Sequence, residues 1–162
     1  MIIYEGEIFI DETKSTITDL INISWYIGDG LPEKVKKGLF HSKNSINRNS
    51  IKEQIEYGVR FRRQDSDYAS IKELFEVSSE RINRNIEFVG GERWKASAAI
   101  GYANGRNIFC YPWMNTKDIE NIREQLTKTI KCLVDEGCIV IFPTTKEENI
   151  KKIYSEGQIV LL

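Results

Sequence analysis

At 162 residues and 18.8 kDa the chain is long enough for one domain with a real core and too short for two. Hydrophobic residues at 41% and charged residues at 29% exclude a disordered or fibrous polymer, and 23 basic against 24 acidic residues (net −1) give no electrostatic reason to expect nucleic acid as a partner. No apolar run approaches the roughly 18 residues of a membrane span, the opening MIIYEGEIFIDE carries acids where a secretory leader carries Lys or Arg, and Cys110, Cys132 and Cys138 contain no C-x-x-C pair, so they read as thiols of a reducing cytoplasm rather than a disulfide framework or zinc site.

In chain order, Ile2 to Ile10 is rich in β-branched and aromatic residues and predicts a strand. Asp11 to Thr13 is a polar turn, and Lys14 to Asn22 reads as a short helix. Trp25-Tyr26-Ile27 predicts a strand that ends in the turn Gly28-Asp29-Gly30. Gly38-Leu39-Phe40 opens a polar loop, His41 to Asn49. Ser50 to Tyr57 predicts a helix with a capping box, Ser50 at the cap and Glu53 three residues on. Asp67 to Val77 predicts a second, with Ile71, Leu74 and Phe75 on one face, and Gly91 to Asn104 a third, rich in alanine. Asn107 to Tyr111 is a short apolar strand. Asp118 to Glu136 is a long helix with Ile119, Ile122, Leu126, Ile130 and Leu133 at helical spacing, stopped by Gly137. Cys138 to Phe142 is almost wholly apolar, as a buried central strand would be. Lys146 to Ile153 is a short helix and Gln158 to Leu162 a last strand. Strands alternating with helices predict an α/β domain with a mostly parallel sheet and flanking helices.

From Ser50 onward the order of elements resembles the second half of an ABC-type (ATP-binding cassette) ATPase domain. SIKEQIEYGVR is similar to the segment after that family's glutamine loop, and Gly90, Gly91, Glu92 and Arg93, with Lys95 behind them, resemble its signature motif. IENIREQLTKTIKCLVDEGCIVIFPTT resembles the helix and strand that lead to its switch histidine. The spacing from Gly91 to Thr145 fits without a gap. In the first half, EGEIF resembles the strand entering the phosphate-binding loop and Lys14-Ser15-Thr16 the Gly-Lys-Ser/Thr-Thr run, but the glycines of G-x-x-x-x-G-K-[S/T] are absent and Asp11 and Glu12 stand in their place.

The resemblance implies a P-loop NTPase-like fold over residues 1–162, one degenerate domain with a small helical subdomain at about 58–100. It also implies losses. Pro112 stands at the metal-holding aspartate, Trp113 at the general base, Thr145 at the switch histidine, His41 at the glutamine and Val89 at the signature serine. Proline and tryptophan can neither ligate a metal nor take a proton from water. The implied protein is a pseudo-ATPase with no catalytic residue and no metal site. Lys14, Ser15, Thr16, Gly90, Gly91 and Glu92 remain as vestigial nucleotide contacts, with ATP at most weakly held. Its expected role is that of an accessory or regulatory subunit in the cytoplasm, brought to a membrane only by a partner: an ABC ATPase, a transporter membrane subunit, or a second copy of itself. One alternative is an ATP-binding subunit that lends its signature motif to a composite site. A weaker one is an antagonist that imitates an ABC domain.

The remaining features have plainer readings. His41, the only histidine, reads as solvated, and Arg60-Phe61-Arg62-Arg63 as a solvated basic face. Cys110 and Cys138 read as small hydrophobes in strands. Gly90 and Gly91 either turn N–H groups towards an anion or only permit a tight turn. In the run Tyr111-Pro112-Trp113-Met114, Pro112 reads as a plug in the emptied crevice and Trp113 with Met114 as an interface, because aromatic side chains dominate interface hot spots.

Overall fold

The computed structural model describes residues 9–10, 12–30, 50–62 and 66–154. The expectations for His41 and its loop, for Gly38 to Phe40, for Arg63 and for a strand at Gln158 to Leu162 lie outside those residues, as does most of the first predicted strand. The chain runs β1 (Phe9–Ile10), β2 (Thr13–Lys14), α1 (Ile17–Ile23), β3 (Ser24–Tyr26), α2 (Ile51–Phe61), α3 (Tyr68–Leu74), α4 (Arg93–Ala103), β4 (Ile108–Cys110), α5 (Thr116–Asp135), β5 (Ile139–Ile141) and α6 (Glu147–Ile153).

Local chemistry explains most helix boundaries. Ser50 and Glu53 form the expected reciprocal cap of α2, at 2.7 Å from the Ser50 amide to the carboxylate and 3.2 Å from the Glu53 amide back to the hydroxyl. Asp67 caps α3 and Asn115 caps α5 by accepting from the Ser70 and Asp118 amides. Helix α5 therefore starts two residues before the predicted Asp118, which instead bonds back to its cap. Gly137 follows α5 at φ +78°, a left-handed position that glycine occupies without strain.

Among the described residues there are two sheets. β1 and β2 pair antiparallel, and β3, β4 and β5 form a parallel sheet in that spatial order. The order never reverses, and right-handed crossovers then place the connecting helices on one face only. The row Trp25, Phe109 and Val140 looks into that helical layer, where Gly101 of α4 sits against both the Trp25 and Phe109 rings. The alternate row, Ser24, Tyr26, Ile108, Cys110, Ile139 and Ile141, points the other way, and none of the six is buried. This corrects the reading of β5 as a buried central strand. It is the outer strand of the described sheet, with Ile139 60% and Ile141 51% exposed.

A second correction concerns Lys14. It closes a hairpin, with Phe9 opposite Lys14 and Ile10 opposite Thr13, and the helix begins only at Ile17 behind a Thr16 cap. The third predicted helix also starts later: Gly90–Glu92 form a single 3-10 turn and α4 begins at Arg93. The stretch 58–100 holds the end of α2, all of α3, two 3-10 turns and most of α4, while α2 itself begins at Ile51.

One contiguous core joins sheet and helices. Its centre is α4, whose residues Ala96 to Ala103 are all buried. Small side chains make that possible. A β-carbon at Gly58 of α2 would fall 2.5 Å from the Ala103 carbonyl carbon and 2.6 Å from its oxygen. The two helices cross in backbone contact, and only glycine fits. Gly58→Ala is expected to cost about 1–3 kcal/mol, the usual range for overpacking, read as a lower urea midpoint at an unchanged slope. An unchanged midpoint would show that α2 and α4 separate freely.

Candidate functional site

In a parallel sheet all strands end on one side, and ligands of α/β folds sit at that carboxyl rim. Here the rim is built from Ile27 to Gly30 after β3, Tyr111 to Asn115 after β4 and Phe142 to Thr145 after β5. Two helix N-termini, of α5 and α6, open from the same side.

After β3 the chain turns at Gly28, φ +105°, and α4 holds the turn in place. The buried Ser97 hydroxyl accepts from the Gly28 amide at 2.8 Å and from the Trp25 indole at 3.0 Å, and donates to the Asp29 carbonyl at 2.7 Å. Arg93 Nε donates to the Gly28 carbonyl at 2.6 Å. This knot ties the signature-like turn to the sheet rim. Ser97 was not singled out in the sequence, and its only local signal is a hydroxyl inside a run of alanines.

After β4, Tyr111 is fully buried against Phe142 at 5.4 Å between ring centroids, and Pro112 is half-buried. Burial pushes the Tyr111 phenol well above its usual pKa, and the nearby Cys132 thiol adds to the shift, so the phenol stays protonated. Trp113 points outward and is 59% exposed. Met114 turns inward at 7% exposure and joins the core. This corrects its assignment to an interface: alternate side chains of the extended rim face opposite ways, and Met114 has no surface left to offer. After β5, Thr144 accepts from the Lys146 amide at 3.2 Å and from the Asn149 amide group at 3.3 Å. Buried Asn149 also reaches Thr116 of α5 at 3.4 Å. Thr145 is exposed. The polar groups of this corner hold the rim together.

The signature-like residues sit in one tight turn. Gly90, at φ +53°, and Gly91 are exposed. The Glu92 amide donates to the Val89 carbonyl at 3.2 Å, and Arg81 donates to the same carbonyl at 2.8 Å. The Glu92 carboxylate accepts from the Ser78 amide at 3.3 Å and lies 4.0 Å from Lys95 Nζ. Of the two readings of the glycine pair, this geometry is the tight turn, with a carboxylate beside it that would oppose an anion. The adjoining cleft between α3 and α5, 670 Å³, has Glu76, Lys95, Gln125, Lys128 and Cys132 in its wall. Burial and the surrounding carboxylates Glu136 and Asp135 push the Cys132 thiol up to about 12, so it is not a nucleophile at neutral pH.

Lys14, Ser15 and Thr16 do not reach the rim. They belong to the antiparallel hairpin and to the cap of α1, apart from the parallel sheet. Thr16 is fully engaged with Asp19: amide to carboxylate at 2.9 Å, hydroxyl to carboxylate at 2.7 Å, and the Asp19 amide back at 3.2 Å. The Thr16 hydroxyl, then its amide, hold the Asp19 carboxyl below its usual pKa. Glu12 stands at the hairpin tip with φ +65°. Among the described residues, no group of three or more His, Cys, Asp or Glu side chains is placed to hold a metal ion, and no helix is long and apolar enough to cross a membrane.

The arrangement of these elements is similar to that of ATP-binding cassettes. Solved structures of similar fold include the dimeric post-hydrolysis state of the ATP-binding cassette MJ0796 bound to ADP and Pi, at a TM-score of 0.53, and the dimeric structure of MJ0796 as a bacterial ABC transporter cassette, at 0.52. Each is 18% identical to this chain, and the match covers 91% of this chain but 66% of the cassette. The chain thus spans about two thirds of the length of the cassettes it resembles. No protein-family model and no curated protein matches the sequence.

Ser97 offers a direct test of the rim. Ser97→Ala leaves the Trp25 indole and the Gly28 amide buried without an acceptor, at about 1–3 kcal/mol for an unmet group. Urea unfolding followed by tryptophan fluorescence should show that loss. Full retention of stability would mean that water replaces the hydroxyl.

Proposed function

We propose that the chain is a non-hydrolytic ABC ATPase-like subunit that acts as an accessory or regulatory partner of an ABC transporter or ATPase. The observation that carries this reading is the composition of the strand rim. Pro112 and Trp113 follow β4, and Thr145 follows β5, at the positions where the resemblance requires a metal-holding acid, a base and a switch group. Phosphoryl transfer depends almost wholly on positioning and charge neutralisation, so a rim without these groups has no means to supply it. Residues of the chain do other work there: Asn149 and Thr144 brace the rim, Ser97 anchors the turn after β3, and Trp113 presents an aromatic surface. The partner is an intact ABC ATPase, a transporter membrane subunit or a second copy.

A second reading is favoured by the length of the chain. A third of the cassette has no counterpart in it, so another polypeptide that supplies the phosphate-binding part could complete a composite site facing Gly90 and Gly91.

Two measurements test the first reading. The purified chain is expected to show no Mg²⁺-dependent ATP hydrolysis above buffer, and to bind ATP no more tightly than the millimolar range, about −4 kcal/mol. Turnover that disappears in Lys14→Ala, or a low-micromolar dissociation constant by calorimetry, would overturn it. Trp113→Ala is expected to leave stability within about 0.5 kcal/mol, as for an exposed site. The same change should weaken binding to an ABC ATPase or permease encoded beside the gene by about 2 kcal/mol. A stability loss of about 3–5 kcal/mol, the cost of deleting a core aromatic, would instead make Trp113 a packing residue.

A further inference from the structure

The amino ends of the strands, opposite the rim, carry a different chemistry. Arg106 lies just before β4, and its Nη1 donates to the carbonyls of Ile21, at 2.9 Å, and of Asn22 in the last turn of α1. Those bonds fix the guanidinium. Its Nε is buried and has no acceptor among the described residues. Arg62 caps the end of α2 beside it: a β-carbon on Gly105, which precedes Arg106 at φ +71°, would lie 3.7 Å from the Arg62 β-carbon. Burial first, and then the Arg62 guanidinium, lower the Arg106 pKa, as two like charges in one place require. Arg60, at the same helix end, lies 5.7 Å from the centroid of the Phe61 ring, which is 56% exposed. Every ion pair between described residues uses a lysine, and none uses Arg60, Arg62 or Arg106.

We propose that Arg62 and Arg106 form a binding site for a phosphate group. Guanidinium groups offer planar pairs of N–H donors that match phosphate oxygens, and a buried donor without an acceptor is costly until one arrives. The plainer account is that these arginines only serve helix ends. The carboxyl ends of α1, α2 and α4 do meet here. At about half a negative charge each, they offset half of the charge on Arg60, Arg62 and Arg106. The remainder matches a phosphate monoester, which carries about 1.5 to 2 negative charges at neutral pH, better than a single carboxylate. The run Arg60 to Arg62 is exposed, as a solvated face should be. The fold adds Arg106 to it from the far side of α4, and with it the fixed half of the site. Two sources share this chemistry: a soluble phosphate compound, and the head group of an anionic lipid, beside which the exposed Phe61 ring would also be buried. The site lies at the end of the strands opposite the rim and is independent of the proposed loss of hydrolysis.

Thermal unfolding of the full chain at constant ionic strength, with inorganic phosphate replacing chloride, should show a Tm that rises with phosphate. Phosphate also stabilises folds in general by exclusion from their surfaces, so the site is read as the difference between wild type and Arg62→Gln. That variant changes an exposed side chain and should keep its circular dichroism spectrum. It should bind phosphate about tenfold more weakly, the loss of one charged hydrogen-bonding partner, and Arg62→Lys should recover part of the affinity. Arg106→Lys keeps a charge at the end of α1 and should weaken binding as well. In a second arm the chain is sedimented with phosphatidylcholine vesicles, with and without phosphatidic acid. Capture only with phosphatidic acid, reduced by Phe61→Ser and by Arg62→Gln, identifies a lipid head group. A site-dependent rise in Tm without capture identifies a soluble phosphate compound. The proposal is overturned by no response in either arm, or by a response that Arg62→Gln and Arg106→Lys leave unchanged. A lower Tm of Arg62→Gln in chloride, with its phosphate response intact, overturns it too and makes Arg62 a helix cap alone.

Discussion

Helix α4 lies within backbone reach of both its neighbours. A β-carbon on Gly101 would fall 2.6 Å from the Trp25 ring and 2.8 Å from the Phe109 ring, and one on Gly58 would strike the Ala103 carbonyl. The helix fits there because most of its buried residues are small, Ala96, Ser97, Ala98, Ala99, Gly101 and Ala103, with Ile100 and Tyr102 the large ones. Such a helix has no polar face to give to water, so it must be enclosed. The sheet lies on one flank, α2 on another and α5 on a third. The site follows from this enclosure. The Ser97 hydroxyl can reach the Gly28 turn only because the helix is that close, and Arg93, one turn earlier, reaches the same turn from the helix start.

Features set by residues three or four apart were legible in the sequence. The Ser50 and Glu53 box, the helical face of Ile119, Leu126, Ile130 and Leu133, and the stop at Gly137 all depend on neighbours in the chain, and the structure has each of them. The same kind of signal was present for α1, where Thr16 and Asp19 form a capping pair, and the predicted helix from Lys14 begins two residues before that cap. Features set at long range were not legible. Ser97 bonds to residues 68 to 72 positions away, and nothing in an alanine run announces that. Met114 and Trp113 are adjacent, and only the path of the rim decides which of them turns inward. The apolar run Cys138 to Phe142 carries a subtler lesson. Its composition describes a strand that needs cover on both faces, and the structure supplies cover on one. The residues stated a requirement that the described chain does not itself meet.

Under the proposed function, scaffold and chemistry are separate in this cassette-like fold. Packing preserves the signature-like turn, since Arg93 and Glu92 tie it to Gly28 and Ser78. Such contacts hold the shape whether or not a nucleotide is bound. Hydrolysis needs further groups whose presence adds nothing to stability, and a fold can be kept while they are absent.

The strand order has a consequence for how the molecule assembles. No strand of the parallel sheet pairs with one close to it in the chain: Trp25 lies beside Phe109, and Arg106 reaches back 85 and 84 positions to the carbonyls of Ile21 and Asn22. Capped helices can flicker into being on their own, but β3 must wait through the whole helical region for β4 to arrive. Loops of that span close at an entropic cost, and topologies of this kind fold in milliseconds to seconds rather than microseconds. Until then Trp25, Phe109 and the apolar surface of α4 stand in water together. The nascent chain passes through an interval in which its most apolar surfaces are its least protected, and the speed with which α4 meets the sheet sets how long that interval lasts.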